Sequence, residues 1–159
     1  MISYLSGTVL YTDDQKLCID IQGVGYEVLC PTQFLATIAQ GEDLSLYTSL
    51  VVREDSMTLY GFADQQQKKF FETLLSVSGI GPKMGLIILD SPLENFVQAI
   101  FNEDVNTLSN IPGVGKKTAG RMIIELQDKL KNIPVSQTVS TKSATQPTVG
   151  MDDIVMALE

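Results

Sequence analysis

The chain has 159 residues, 44 % hydrophobic and 19 % charged, with a formal net charge of −8. That length and balance fit one ordinary globular domain or two small ones, and no run approaches the ~20 apolar residues of a membrane span. The absence of histidine removes Ser-His-Asp and Cys-His catalysis, and the commonest metal ligand, in one step.

An acidic total argues against a polyanion partner, because non-specific DNA affinity comes from Lys and Arg. The distribution says more. Residues 1–63 carry −6, residues 64–134 balance eight bases against eight acids, and residues 135–159 carry −2. Any polyanion belongs with the middle segment. Cys18 and Cys30 lie in apolar stretches without zinc spacing and read as buried thiols of a reducing cytosol. The opening MISYLSGTVLYTDD has neither the basic start nor the long apolar core of a signal peptide.

In chain order, residues 2–62 read as five short strands over 2–11, 17–21, 26–30, 44–52 and 57–62. Leu17, Ile19 and Ile21 alternate, as do Tyr26, Val28 and Cys30, which is the pattern of half-buried strands. Turns are expected at Asp13-Asp14 and at Gly23-Val24-Gly25. After the third strand, Thr32 is placed to cap a short helix with Phe34, Leu35 and Ile38 facing inward and Gly41 ending it. Five strands with one helix between the third and fourth predict a Greek-key barrel of the OB type over 1–63; a generic five-stranded barrel or sandwich is the alternative.

The last two strands flank Arg53-Glu54-Asp55-Ser56, which puts Glu54 and Asp55 at a hairpin tip. Such a tip is either a solvated turn or a negative finger aimed at DNA, to repel phosphates or part strands. A carboxylate pair holding Mg²⁺ for a nuclease would need a cluster of further acids.

From Asp64 the period becomes helical. Asp64 and Gln67 form a capping-box pattern, followed by Phe70, Phe71, Leu74 and Leu75 as core positions. A second helix is predicted over 83–89. Ser91-Pro92-Leu93-Glu94 then reads as a helix start, with Ser91 as cap and Pro92 first, continued by the apolar residues Phe96, Val97, Ile100 and Phe101. A short helix leads to Leu108 and a long one ends near residue 132. Residues 64–133 are thus expected to be an all-α domain of about five helices, making the chain α+β overall. Residues 134–150, PVSQTVSTKSATQPTVG, read as a flexible linker, and 151–159 open a further amphipathic helix.

A repeat sits inside the helical segment. Sliding the sequence by 34 residues lays LLSVSGIGPKMGLIIL (74–89) on LSNIPGVGKKTAGRMI (108–123). Gly79 meets Gly113, Gly81 meets Gly115, and Lys83 meets Lys117. Each copy is helix, Gly-apolar-Gly turn, helix. The second copy superficially resembles a nucleotide-binding P-loop, but that motif needs Gly where Asn110 stands and Ser or Thr where Lys117 stands. It also needs a preceding strand, and the sequence there reads helical. A single ATP site would not explain a duplicate.

A tandem helix-hairpin-helix explains it. The glycines permit a backbone conformation closed to side chains and a close approach to a ligand. Ile80 or Val114 between them tucks into the core. The following helix then presents its free N–H groups and positive dipole end, worth about 0.3–1 kcal/mol toward an anion. Two such units can grip the backbones of a duplex with lysines adding charge, independently of sequence. For a single copy, a purely structural turn would serve as well. A repair nuclease docking through these units, or a protein-interaction module, remain as other classes.

The barrel ending in VVREDSMTLYGF, followed by VSGIGPKMGLIIL and IPGVGKKTAGRMIIEL, resembles the RuvA family of Holliday-junction-recognition subunits over residues 1–134. The resemblance implies a bacterial cytoplasmic, non-enzymatic protein of recombination and repair. Family members bind an open four-way junction as a homotetramer, sometimes paired as an octamer, and no cofactor is implied. It assigns Glu54 and Asp55 to an acidic pin at the tetramer centre. It assigns the minor-groove backbone contacts to Gly79, Ile80, Gly81 and Lys83, and to Gly113, Val114, Gly115, Lys116, Lys117 and Arg121. The implied partners are the ATPase RuvB and the resolvase RuvC. RuvB contacts a third helical domain, of which only 151–159 are expected in this chain.

Overall fold

The computed structural model describes residues 1–131. The linker and further helix expected over 134–159 lie outside the described residues. Five strands come first: β1 (Tyr4–Thr12), β2 (Lys16–Ile21), β3 (Val24–Leu29), β4 (Asp43–Arg53) and β5 (Ser56–Phe62), with α1 (Thr32–Leu35) between β3 and β4. Five helices follow: α2 (Gln65–Leu75), α3 (Pro82–Asp90), α4 (Leu93–Phe101), α5 (Val105–Ser109) and α6 (Lys116–Leu130).

The strands close into a barrel in the order β1-β2-β3-β5-β4, which is the predicted OB-like architecture. Closure depends on a short parallel pairing of β3 with β5, Val28 opposite Leu59 and Leu29 opposite Tyr60. Gly61 makes room for it, since a Cβ there would come within 2.6 Å of Val28 Cγ1. Leu5, Val9, Leu17, Ile19, Val28 and Leu46 fill the interior. Cys18 and Cys30 are buried free thiols, and burial pushes the Cys30 thiol up to about 12, leaving it protonated.

Several local expectations are corrected. The β2–β3 turn is Gln22-Gly23, both at positive φ (52° and 90°), so Val24 and Gly25 belong to β3. A two-residue hairpin loop of this hand matches the strand twist and outweighs the cost of a left-handed Gln. Pro31, not Thr32, precedes α1, and no side chain caps that helix. Gly41 does not end α1 but leads into β4, donating its N–H to the Val9 carbonyl at 2.8 Å. At α4 the cap position is Pro92, while the Ser91 hydroxyl donates backward to the Ile88 carbonyl at 2.7 Å. Ser91 therefore ends α3 rather than starting α4. Asp64 does cap α2, accepting from the Gln67 N–H at 2.8 Å, but Gln67 Oε1 stays without a partner, so the box is half formed.

One aromatic side chain fastens the helices to the barrel. Phe71 of α2 lies 5.2 Å from the Tyr60 ring and 4.8 Å from the Phe62 ring, both on β5. Its other side sits over Gly85 of α3, where an added Cβ would be 3.1 Å away. The Asp90 carboxylate at the end of α3 accepts from the Gln33 N–H of α1 at 3.0 Å. Together these contacts hold α3, and the turn before it, beside the barrel. The remaining helices pack on a second core of Phe70, Leu74, Ile88, Ile100, Met122 and Leu126.

Candidate nucleic-acid interface

The 34-residue repeat is a repeat of backbone structure. In the first copy Val77 N–H donates to Leu74, Ile80 to Val77 and Gly85 to Gly81; in the second, Ile111 donates to Leu108, Val114 to Ile111 and Ala119 to Gly115. Each bond of one copy recurs 34 residues on. The turn glycines Gly79 and Gly113 take φ of +94° and +88°, where an L side chain is strained. Gly81 and Gly115 then stand at the caps of α3 and α6, with extended backbones that differ by only a few degrees.

The two turns also face one another reciprocally. Met84 Cε lies 3.5 Å from where a Gly113 Cβ would be, and Thr118 Cγ2 lies 3.9 Å from the same point at Gly79. Met84 and Thr118 are themselves equivalent under the 34-residue shift, so each copy rests its helix on the other copy's glycine. The result is an approximate two-fold pair of helix starts on one face.

Ile80 and Val114 are only 5 % and 6 % exposed, so their side chains fix the turns from inside and only backbone there can meet a ligand. Gly79, Gly113 and Gly115 are exposed, Gly81 is half-buried, and Lys83, Lys116, Lys117 and Arg121 are exposed. The ion pairs among the described residues are Lys16–Glu27 and Lys131–Asp128, so none of these four cations is neutralised by one. Because the first intrahelical donors are Gly85 and Ala119, the preceding first-turn N–H groups are left to outside acceptors. The arrangement can hold oxyanions at two points and add four positive charges around them.

The sequence reading missed two features here. Arg121 reaches back from α6 to the other copy, its Nη1 donating to the Ser78 hydroxyl at 3.3 Å. Lys129 does the same to Ser76 at 2.6 Å. Residue spacing carries no sign of either bond, since the partners are far apart in sequence.

Glu54 and Asp55 form the two-residue tip between β4 and β5, beyond the Arg53–Ser56 pair, and both are exposed. Below them Val52 and Met57, opposite each other, are 61 % and 71 % exposed, so the hairpin end projects from the barrel instead of folding over it. Among the described residues no three Cys, Asp or Glu side chains converge as a metal site, and no single helix is long and apolar enough to cross a membrane.

A family model described as RuvA N terminal domain matches residues 1–61, and one described as SAM-like Helix-hairpin-helix tandem matches residues 71–128. Similar curated proteins share one name, Holliday junction branch migration complex subunit RuvA. The Acinetobacter baylyi protein is 44 % identical over 148 residues, covering 92 % of this chain and 74 % of that protein. An Acinetobacter baumannii protein is 46 % identical over 134 residues, 84 % of this chain and 67 % of its own length. The Corynebacterium aurimucosum protein is 42 % identical over 161 residues, covering 99 % and 80 %. The likeness runs through both the barrel and the paired turns, and on that ground the chain belongs to the RuvA family.

Proposed function

We propose that this protein is a non-enzymatic DNA-binding subunit that recognises four-way junctions by shape and holds them open for branch migration by a partner ATPase. The observation that carries the reading is the reciprocal pair of glycine turns, each opening a helix with free first-turn N–H groups and flanked by cations that form no ion pair among the described residues. Gly79, Gly81 and Lys83 hold one strand of a duplex arm; Gly113, Gly115, Lys116, Lys117 and Arg121 hold the other. Phosphates carry no base identity, so the grip is independent of sequence.

Four copies around a junction, as a tetramer or a pair of tetramers, would bring eight carboxylates from Glu54 and Asp55 to the crossover. Residues 1–63 thus serve as the discriminating unit and 64–133 as the gripping unit. Like charges repel by about 1 kcal/mol per pair at 4 Å in water, and by more where water is excluded. The tip therefore opposes continuous duplex and keeps the crossing strands apart, at some loss of affinity. The motor is RuvB, acting in the bacterial cytoplasm, with the resolvase RuvC taking the same open junction as substrate.

The deciding experiment is a gel shift comparing a four-way junction with linear duplex at fixed salt, together with the oligomeric mass of the complex. Preference for the junction by a tetramer is expected; equal affinity for both would overturn the reading. Glu54→Gln with Asp55→Asn keeps shape and removes charge. It should tighten binding overall, most on duplex, so that junction preference falls while stability changes little. An unchanged ratio in a tetrameric variant would make the tip a solvated turn.

A further inference from the structure

The barrel and the first glycine turn do not close fully against each other. An open groove of about 350 Å³ runs between them, with Arg53, Ser56, Thr58 and Tyr60 on the barrel side and Gly81 and Lys83 on the helical side. Its composition is out of keeping with its surroundings. Residues 1–63 carry −6, yet among the described residues no acidic side chain lines the groove. The barrel holds two bases. Lys16 is paired with Glu27 at 3.1 Å, whereas Arg53 has no ion pair among the described residues, and it faces this groove. Lys83 faces it from across the gap. Burial pushes the Tyr60 hydroxyl above the ordinary phenol range, with Arg53 and Thr58 pulling the other way, so it remains a donor at neutral pH.

The position matters as much as the charge. One end of the groove is the first glycine turn; the other is the root of the Glu54-Asp55 tip. We propose that this groove is a phosphate site for the single DNA strand that leaves the duplex held by the first turn. Arg53 and Lys83 bind the backbone of that strand and lead it past the acidic tip. The inference rests on the junction-binding reading above. A guanidinium presents a planar fork to two phosphate oxygens, and the hydroxyls of Ser56, Thr58 and Tyr60 can donate to others. A groove of this size takes one sugar-phosphate backbone and is too small for a duplex. The hairpin then works with two signs: its root attracts the strand that turns away, and its tip repels whatever runs straight on.

The test is Arg53→Gln, with Arg53→Lys as the conservative control, in equilibrium binding to a four-way junction, a splayed fork and a linear duplex at fixed salt. Losing one charge-assisted phosphate contact corresponds to at least about tenfold in affinity. That loss is expected on junction and fork, with a smaller loss on duplex and substantial recovery in Arg53→Lys. The sign is opposite to that of the neutralised tip, which should bind more tightly. Neutral methylphosphonates at the first phosphates beyond the branch point should reproduce the loss in the parent protein and add nothing further in Arg53→Gln. Equal loss on all three DNAs, no loss at all, or full additivity with the methylphosphonates would overturn the proposal. If the parent itself shows no junction preference, the functional reading fails; if it does and Arg53→Gln keeps that preference, the groove alone fails.

Discussion

The two glycine turns share a backbone and a buried apolar residue, and differ in the helices they open and the charge beside them. The first opens α3, of nine residues, with Pro82 at the first position; the second opens α6, of fifteen residues, with Lys116 and Lys117 there. Proline has no N–H, so α3 offers one fewer free donor than α6. The first turn carries one adjacent lysine and the second carries two. In compensation the first is fastened to the barrel through Phe71 and borders the groove with Arg53, while Arg121 and Lys129 of α6 bond back to its serines. In the proposed function the second copy, with more free donors and charge, is the stronger grip, and the first is the one positioned against the barrel. A weak site gains most from being held at a fixed distance from its neighbours.

The most disruptive way to break that difference is to cut the fastening. Phe71→Ala should cost about 3–5 kcal/mol of stability, since it empties the space between β5 and α3. Urea unfolding measures it, and a loss below about 1 kcal/mol would mean the helices do not depend on the barrel. Next come the glycines. Forcing a β-branched residue into left-handed backbone costs about 1–2 kcal/mol. A Cβ at Gly113 would already touch Met84 at 3.5 Å, so the added methyls of Gly113→Val have less room than those of Gly79→Val, whose nearest neighbour is Thr118 at 3.9 Å. Both should weaken DNA binding by more than they lower stability, with Gly113→Val the worse. Undiminished affinity in a folded Gly113→Val protein would leave the turns purely structural.

Salt dependence sharpens the comparison without disturbing the fold. If each lysine meets a phosphate, four subunits lose at most roughly four contacts per substitution, each about 0.9 in the slope of log K against log[salt]. Lys117→Ala and Lys116→Ala together should flatten the slope more than Lys83→Ala. Equal effects would say that the two turns share the load evenly. The smallest effect is expected from altering one of the reciprocal contacts. Met84→Leu, a hydrophobic swap of nearly equal volume at the contact with Gly113, should change stability by less than about 1.5 kcal/mol. The separation of the two helix starts would shift slightly, and duplex affinity should register it; no change in affinity would show that the spacing tolerates repacking.

Much was legible in the chain because it is written at short range. Alternation at spacing two marks Leu17, Ile19 and Ile21 as a strand, and the 34-residue echo exposes both turns with their buried Ile80 and Val114. Asp64 starts its helix because its carboxylate reaches an N–H three residues on. The errors were also local. Ser91 could cap forward or bond backward, and the choice fell to the α3 carbonyl it now satisfies. Gln22 accepts a left-handed backbone because strand twist on both sides demands it.

What only the tertiary structure decided has no short-range signature. Barrel closure sets Val28 against Leu59. Phe71 meets Tyr60, Phe62 and Gly85 across three separate elements. Arg53 looked like one more residue of a charged turn until closure of the barrel and docking of α3 placed it with Lys83 on one groove, lined by no acid among the described residues. Spacing along a chain determines which faces are apolar and which turns are possible, since those depend on backbone period alone. Which faces meet depends on how the buried volumes fit, and that fit is a property of all the packed elements together.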